Sequence, residues 1–446
     1  MTDRVLVELA RYALAPHAFS ERTLGTARWV LADSLGCAAL AATHEAPRRV
    51  LGPLAGVTGE IRVPFRDDRL DVVKAAFDTG ALIRWLDFSD TWLAAEWGHP
   101  SDNLGAILAV AQHRDLRVAD VLDSAVVAHE IQGVLALENS FNRIGLDHVL
   151  LVRIASTAAA GRLLGLDEAR LAAALSHAWI DGGALRTYRH APNTGPRKSW
   201  AAGDATARGV FLALLAERGE PGYATALSAP TWGFEAVHVP IRLERTPASY
   251  VMDNVLFKVS YPAEFHAQTA VECAVQLHPR VRDRIDEIER IEIDTQESAV
   301  RIIDKTGPLH NPADRDHCLQ YMTVVALLHG GLTDEDYEDA AAANPRIDAL
   351  RARCVVREDP HYSRDYLDPG LRSIANAVRV VFADGSSTER VEVEYPLGHP
   401  RRRAEAAGPL RAKLEANVPA HLAALLLDDA ALPELPVREL VARCST

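Results

Sequence analysis

Residues Val118–Leu137 read VADVLDSAVVAHEIQGVLAL, and their apolar positions recur at steps of three and four. That spacing follows the 3.6-residue turn of an α-helix and lays Val118, Val121, Leu122, Ala125 and Ala128 along one face. Leu24–Thr43, Leu70–Leu86, His148–Leu164 and Trp200–Arg218 repeat the pattern and are also rich in alanine and leucine. Alanine adds little bulk beyond the backbone, so such helices can approach one another closely. Asp167 opens a further helix, an acid placed to accept otherwise orphan amide hydrogen bonds.

After about residue 265 the period changes. In Ile288–Thr295, IERIEIDT, Ile291 and Ile293 alternate with charged neighbours, which predicts a strand. Ala377–Tyr395, AVRVVFADGSSTERVEVEY, gives two strand patterns joined through Asp384-Gly385, a hairpin signal. Tyr321–His329 and Tyr337–Ala342 between them are helical in pattern, and helix returns beyond Pro400. The predicted fold class is therefore mainly α: a large all-helical domain, residues 1–265 plus 400–446, with an inserted smaller α+β lid domain, residues 266–399.

A length of 446 residues leaves room for two domains, and 48% hydrophobic content supports a large core. A formal net charge of -13 argues against general nucleic-acid binding, which needs a basic face. An acidic protein can still hold a basic pocket for an anion. Cys37, Cys273, Cys318, Cys354 and Cys444 are dispersed, without a C-x-x-C pair, and are expected to be reduced, mostly buried thiols. The opening MTDRVLVELARYAL lacks the apolar core of a secretory signal, and Val149–Leu164 is interrupted by Arg153 and Arg162 and too short to span a bilayer. The expected compartment is the cytoplasm, with no membrane partner.

Five polar stretches interrupt the helices. In RWLDFSDTWLAAEWGHPSDN, Arg84–Asn103, the residues Asp87, Ser89, Asp90, Thr91 and His99 sit among Trp85, Trp92 and Trp97. A carboxylate beside an imidazole in a partly dry pocket can orient it and tune it for proton transfer. The alternative is a helix cap at Asp87 with a structural His99. In DGGALRTYRHAPNTGPRK, Asp181–Lys198, the residues Gly182, Gly183, Pro192, Gly195 and Pro196 break helicity. Arg186, Arg189, His190, Arg197 and Lys198 supply positive charge for a polycarboxylate, unless the stretch is simply a solvated basic loop. The helix expected from near Trp200 would add its amide dipoles to that anion site. YPAEFHAQT, Tyr261–Thr269, carries His266; GPLHNPADRDH, Gly307–His317, carries His310, Asn311, Asp314, Arg315 and His317; PLGHPRRR, Pro396–Arg403, is a basic turn.

No H-E-x-x-H or paired-cysteine pattern suggests a metal, no glycine-rich phosphate loop a nucleotide, and no G-x-S-x-G a serine hydrolase. What survives is acid–base chemistry on an anionic small molecule, with no metal and no cofactor.

These stretches, with ADSLGCAAL at Ala32–Leu40 and YLDPGLRSIANAV at Tyr366–Val378, resemble the MmgE/PrpD family over nearly the whole chain. Near Val57–Arg66 the chain is shorter than the family pattern. The resemblance implies a large helical domain with a smaller α+β lid, a site between them, and a homodimer. It implies dehydration of a tricarboxylate, 2-methylcitrate, to 2-methyl-cis-aconitate in propionate catabolism. From a decarboxylase of cis-aconitate in the same family, it carries an Asp, a Thr and a His onto Asp87, Thr91 and His99. It also carries a lysine onto Lys198 and a second histidine onto His266. On this reading Lys198, with Arg186, Arg189 or His190, neutralises a substrate carboxylate, and Thr91 bonds a carboxylate or hydroxyl. His99, oriented by Asp87, and His266 form the acid–base pair in either order. The alternatives are a family lyase acting on citrate or cis-aconitate, and a non-catalytic helical binding protein with those side chains scattered over its surface.

Overall fold

A computed structural model describes residues 2–56, 58–190 and 194–445. The fold is mainly α. Helices α1 (Arg4–Leu14), α2 (Glu21–Thr43), α3 (Val72–Arg84), α4 (Leu104–His113), α5 (Val118–Glu138), α6 (Val149–Leu164), α7 (Glu168–Ile180) and α8 (Arg197–Glu217) build the first part of the chain. The side-chain oxygen of Asp71 accepts from the amides of Val73 and Lys74 and starts α3. Asp167 does the same for α7 through Arg170 N at 2.8 Å. Helix α6 buries almost its whole circumference, so Arg153 and Arg162 turn back to carbonyls at helix ends: Ala178 O accepts from Arg153, and Ala13 O and Ala15 O accept from Arg162. Among the described residues, no helix is long and apolar enough to cross a membrane.

The close approach that alanine-rich helices permit is taken furthest where α3, α4 and α8 meet. A Cβ on Gly203 would lie 2.5 Å from Phe77 O and 3.0 Å from Ala81 N; one on Gly105 would lie 2.6 Å from Ala76 O. The helix backbones touch there, which brings the first turn of α8 against the last turn of α3.

A second hydrophobic core forms over a four-stranded sheet. Two short strands, β1 (Trp92–Leu93) and β2 (Trp97–Gly98), first make a separate ribbon. The sheet itself comprises β3 (Ile288–Thr295), β4 (Cys354–Glu358), β5 (Asn376–Phe382) and β6 (Val391–Val393), in the order β4-β3-β5-β6. β3 runs parallel to β4 and antiparallel to β5, and β5 antiparallel to β6. Ile291 and Ile293 are buried, as the alternation predicts. In the loop joining β5 to β6, Gly385 has φ +82° and donates its amide to Phe382 O at 2.9 Å. Helix α9 (Gln268–Val281) covers the sheet, and α10 (Leu319–His329) packs against α9 in the same core.

The chain then returns to the first core through α11 (Arg403–Asn417), whose Ala406, Leu410 and Leu414 pack there. Lys413 is buried: its ammonium donates to Phe88 O and Lys258 O, each at 2.8 Å, and meets Asp33 Oδ1 at 2.7 Å. Cys37, Cys273, Cys318 and Cys444 are buried free thiols and Cys354 is half-buried.

Two local expectations shift. α8 begins at Arg197, not near Trp200, because Pro196 has φ -58° and leads directly into the first helical turn. Within the glycine- and proline-broken basic stretch, Thr187–His190 forms one helical turn. Pro192 and Val57 lie outside the described residues; beyond Val57, Ile61–Arg62 pairs with Arg69–Leu70.

Gly203→Ala forces a methyl group against the backbone of α3. It should lower stability by about 1–3 kcal/mol, the usual cost of overpacking, read as a fall in the urea midpoint at unchanged slope.

Candidate active site

Helix α3 ends at Arg84, and three residues later Asp87 takes φ +52°. A left-handed backbone costs a non-glycine residue roughly 1–2 kcal/mol, so the surroundings must hold it there. They do so with charge. Arg84 Nη1 lies 2.8 Å from Asp87 Oδ1; Lys258 donates to both the carbonyl (2.7 Å) and the carboxylate of Asp87; Lys198 Nζ lies 3.5 Å from Oδ2. Asp87, Arg84, Lys198 and Lys258 are all essentially without exposure. Burial alone would raise the Asp87 carboxyl, but Arg84, Lys258 and Lys198 hold it well below the usual carboxylate range.

β2 delivers His99 to this carboxylate. Trp97 and His99 are alternate residues of an extended segment, so both project to one side. His99 Nδ1 donates to Asp90 O at 2.6 Å, with Thr91 Oγ1 3.2 Å away. A carbonyl can only accept, so the proton sits on Nδ1 and Nε2, 3.6 Å from Asp87 Oδ1, carries the lone pair. Burial first, then the charges of Arg84 and Lys258, keep this imidazole well below its ordinary range against the pull of Asp87. The imidazole is therefore neutral, with its lone pair on Nε2. Asp90 Oδ2 pairs with His129 Nε2 at 2.8 Å and its Oδ1 accepts from Ser101 N at 3.0 Å, which braces the whole turn.

Two further clusters flank the first. On one side Lys198 pairs with Asp316, whose other oxygen accepts from His317 Nδ1 at 2.7 Å. Burial and then Lys198 bring His317 down to about 4, against Asp316. Donor atoms of Asp87, Asp316 and His317 lie within 4.8 Å of one another, a spacing a cation could use. Lys198 and Lys258 already supply the positive charge to these carboxylates. On the other side Asp147 pairs with Arg189, lies 3.8 Å from Arg186 Nη1, and stands 3.2 Å from His148 Nδ1. The rings of His148 and His99 are 5.9 Å apart. Burial, followed by Arg189, Arg84 and Arg186, holds His148 at about 3 despite Asp147.

The structure therefore brings Asp87, Thr91, His99 and Lys198 together, and gathers Arg186 and Arg189 at Asp147. His190 is exposed, and its Nε2 accepts from Arg186 Nε at 3.3 Å. His266 stands beyond Trp97: the Trp97 ring meets His266 edge-on at 5.5 Å, while Arg186 lies 5.6 Å from its centroid. His266 Nδ1 donates to Glu264 Oε1 at 2.7 Å and its Nε2 meets the Tyr366 hydroxyl at 3.0 Å. Burial works against ionising Glu264, but His266 outweighs it and the carboxyl falls to about 2. Trp97 and Tyr366 line a cleft of 420 Å³ with Arg143 and Arg301; Asp316 lines another of 260 Å³ with Trp85, His310 and Tyr337.

Sequence reasoning passed over Arg84, Lys258, Asp147, His148, Glu264, Asp316 and Tyr366. Lys258 did leave a trace, as the lone charge in the run VLFKVSYP, and Asp147-His148 stands as an acid–imidazole pair just before α6.

The chain belongs to the MmgE/PrpD family: residues 7–243 match its N-terminal domain and residues 261–426 its C-terminal domain. It is 53% identical to a 2-methylcitrate dehydratase of Cupriavidus necator and 50% identical to that of Escherichia coli (strain K12). Both matches cover 98% of this chain and 96% of the relative. A mitochondrial 2-methylcitrate dehydratase of Yarrowia lipolytica is 50% identical over 91% of this chain and 82% of its own length.

Lys258→Ala removes the cation that holds both the carbonyl and the carboxylate of Asp87. It should destabilise the fold by about 3–5 kcal/mol, the cost of leaving a buried charge with a missing partner, measured by urea unfolding at neutral pH.

Proposed function

We propose that this chain is a hydro-lyase that dehydrates 2-methylcitrate to 2-methyl-cis-aconitate in propionate catabolism, by acid–base elimination without a metal. Identity of 50–53% over nearly the full length to 2-methylcitrate dehydratases carries the reading. The non-catalytic alternative expected exposed, scattered side chains, whereas Asp87, His99, Lys198 and His266 are all buried.

The substrate presents three carboxylates and a tertiary hydroxyl. The proton to be removed lies on the carbon next to a carboxylate, and its negative charge makes that proton weakly acidic. Lys198 and Arg186, with Arg189 and His190 beside them, would neutralise carboxylates and so lower the barrier. Thr91 would hydrogen-bond a carboxylate or the hydroxyl. The neutral Nε2 of His99 would take the proton; the C–H pair becomes the new double bond as the C–O bond breaks. Hydroxide leaves as water only if it receives a proton. His266 fits that role through the Tyr366 hydroxyl bonded to its Nε2, with Glu264 fixing Nδ1 as a donor.

The two hydrophobic cores suggest a helical domain, 1–265 plus 400–446, with a lid, 266–399, closing over these groups. A cytoplasmic homodimer is the assembly we propose. Exposed Trp232 (85%), Tyr223 and Val237 on one connecting segment are apolar surface a second subunit would cover.

Assays of 2-methylcitrate against citrate and cis-aconitate, with alkene absorbance and CO2 release as readouts, test the reading. It predicts preference for 2-methylcitrate, no CO2 and indifference to EDTA; activity restored only by iron after chelation overturns the metal-free step. His99→Ala should cut kcat by about two to four orders of magnitude with the fold intact by circular dichroism. Because His99 is held below its ordinary range, it stays neutral to lower pH than a free imidazole. The acid limb of kcat/KM should therefore fall below about 6.5, the free histidine value; a limb at 6.5 would remove His99 as the base.

A further inference from the structure

The turn that carries His99 also carries an acid that the elimination above does not use. Asp102 lies in the 3-10 turn Pro100–Asn103, three residues after His99, and its amide donates to His99 O at 3.0 Å. It is 0% exposed, and among the described residues neither carboxyl oxygen has a hydrogen-bond partner. The other acids of the segment all have partners. Asp87 has Arg84, Lys198 and Lys258; Asp90 has His129 and Ser101; Glu96 accepts from Asn142 N at 2.6 Å and Asn142 Nδ2 at 2.9 Å. A buried ionised carboxylate without a partner is among the costliest arrangements in a protein, so the group must carry a proton or meet a ligand.

The charges that act most strongly on Asp102 come from three parts of the fold. Arg84 comes from the end of α3, Arg189 from the turn Thr187–His190, and Asp87 and Asp90 from the segment between α3 and β1. The same Arg84 acts on Asp87, His99 and His148, and the same Arg189 on Asp87 and His148, so Asp102 belongs to the charge cluster of the site. Other polar atoms of that cluster also lack hydrogen bonds among the described residues: Arg84 Nε, Asp87 Oδ2, His148 Nε2 and Arg186 Nη1. Arg84 Nε and Arg186 Nη1 are buried donors whose hydrogen bonds the oxygens of a polycarboxylate would satisfy.

We propose that Asp102 is a positioning residue that works as a neutral carboxylic acid: by keeping its proton it places no further negative charge on Arg84 and Arg189, already engaged by Asp87 and Asp147, so the cluster can still attract the substrate's carboxylates. Ionisation would add a negative charge beside two cations that Asp87 and Asp147 already share, and would repel a trianion. Burial, reinforced by Asp90 and Asp87, lifts this carboxyl well above its usual range, against Arg84 and Arg189. The inference rests on the tricarboxylate reading for its ligand, but the protonation state can be read without any substrate.

Difference infrared spectroscopy of the free protein against Asp102→Asn is the first test. The neutral acid predicts a protonated-carboxyl carbonyl band at neutral pH that the variant lacks. Only carboxylate bands in the difference spectrum overturn the proposal, whatever the substrate turns out to be. The second is KM against pH. Asparagine keeps the shape and neutrality of the protonated acid, so Asp102→Asn should match the parent KM within about twofold at pH 7. The parent's KM should then climb toward tenfold per pH unit as Asp102 ionises, a rise absent from the variant. A variant with KM raised tenfold or more at pH 7, or one that keeps the parent's alkaline rise, overturns the role. Should Asp102→Asn fail to fold, Asp102→Glu gives the same infrared band, shifted, if the position holds a proton.

Discussion

One buried carboxylate organises the molecule's chemistry. Asp87 sits on a backbone conformation that favours glycine and is buried, and both features cost free energy. Three cations offset that cost: Arg84 from the preceding helix, Lys198 from the first turn of α8, and Lys258 from the segment leading to the second core. Each comes from a different part of the chain, so the helix packing around Gly203 and Gly105 is a precondition of the charge cluster. The ions in turn define what the neighbouring imidazoles can be. His99 and His148 lie close to more positive than negative charge and are deep enough to be desolvated, so both stay neutral. Asp90 O thus fixes the His99 ring through Nδ1–H, and Asp87 stays ionised beside Nε2 without protonating it.

The same cluster explains how an acidic chain can attract an anion. Acid and base are locally balanced around Asp87, Asp147 and Asp316, but several donors in that region have no acceptor within the protein. An overall charge of -13 is spread over the surface, where water and salt screen it. Inside, at low effective dielectric, a single guanidinium counts for much more.

How much of this was legible in the sequence depends on the range of the interaction. The helices were legible because a 3.6-residue period is local, and the β5–β6 hairpin because Asp384-Gly385 is a local turn signal. Asp87, Thr91 and His99 stood out because they share one short stretch. Lys198 stood out through the basic run before α8 and the family resemblance. Lys258 did not, since its meaning depends on Asp87, 171 residues away. Arg84 looked like an ordinary polar end to a helix. Asp147-His148 was hidden by its place at the start of an apolar helix. The early start of α8 was missed because Pro196, counted as a breaker, instead leads into the helix. Asp102 has no polar partner whose pattern could have flagged it.

The ammonium of Lys413, bonded to the carbonyls of Phe88 and Lys258, has a consequence for the order of assembly. A ribosome releases Asp87 and His99 some three hundred residues before it releases α11, whose Lys413 ties Phe88, next to Asp87, to Lys258. Through most of synthesis, a nascent chain therefore holds its acids and cations close to the apolar surface that will cover them, without the clasp that fixes their spacing. Local helices can form early, while the long loop closures come last. The spacing of the charge cluster should consequently become fixed only once α11 has joined the fold.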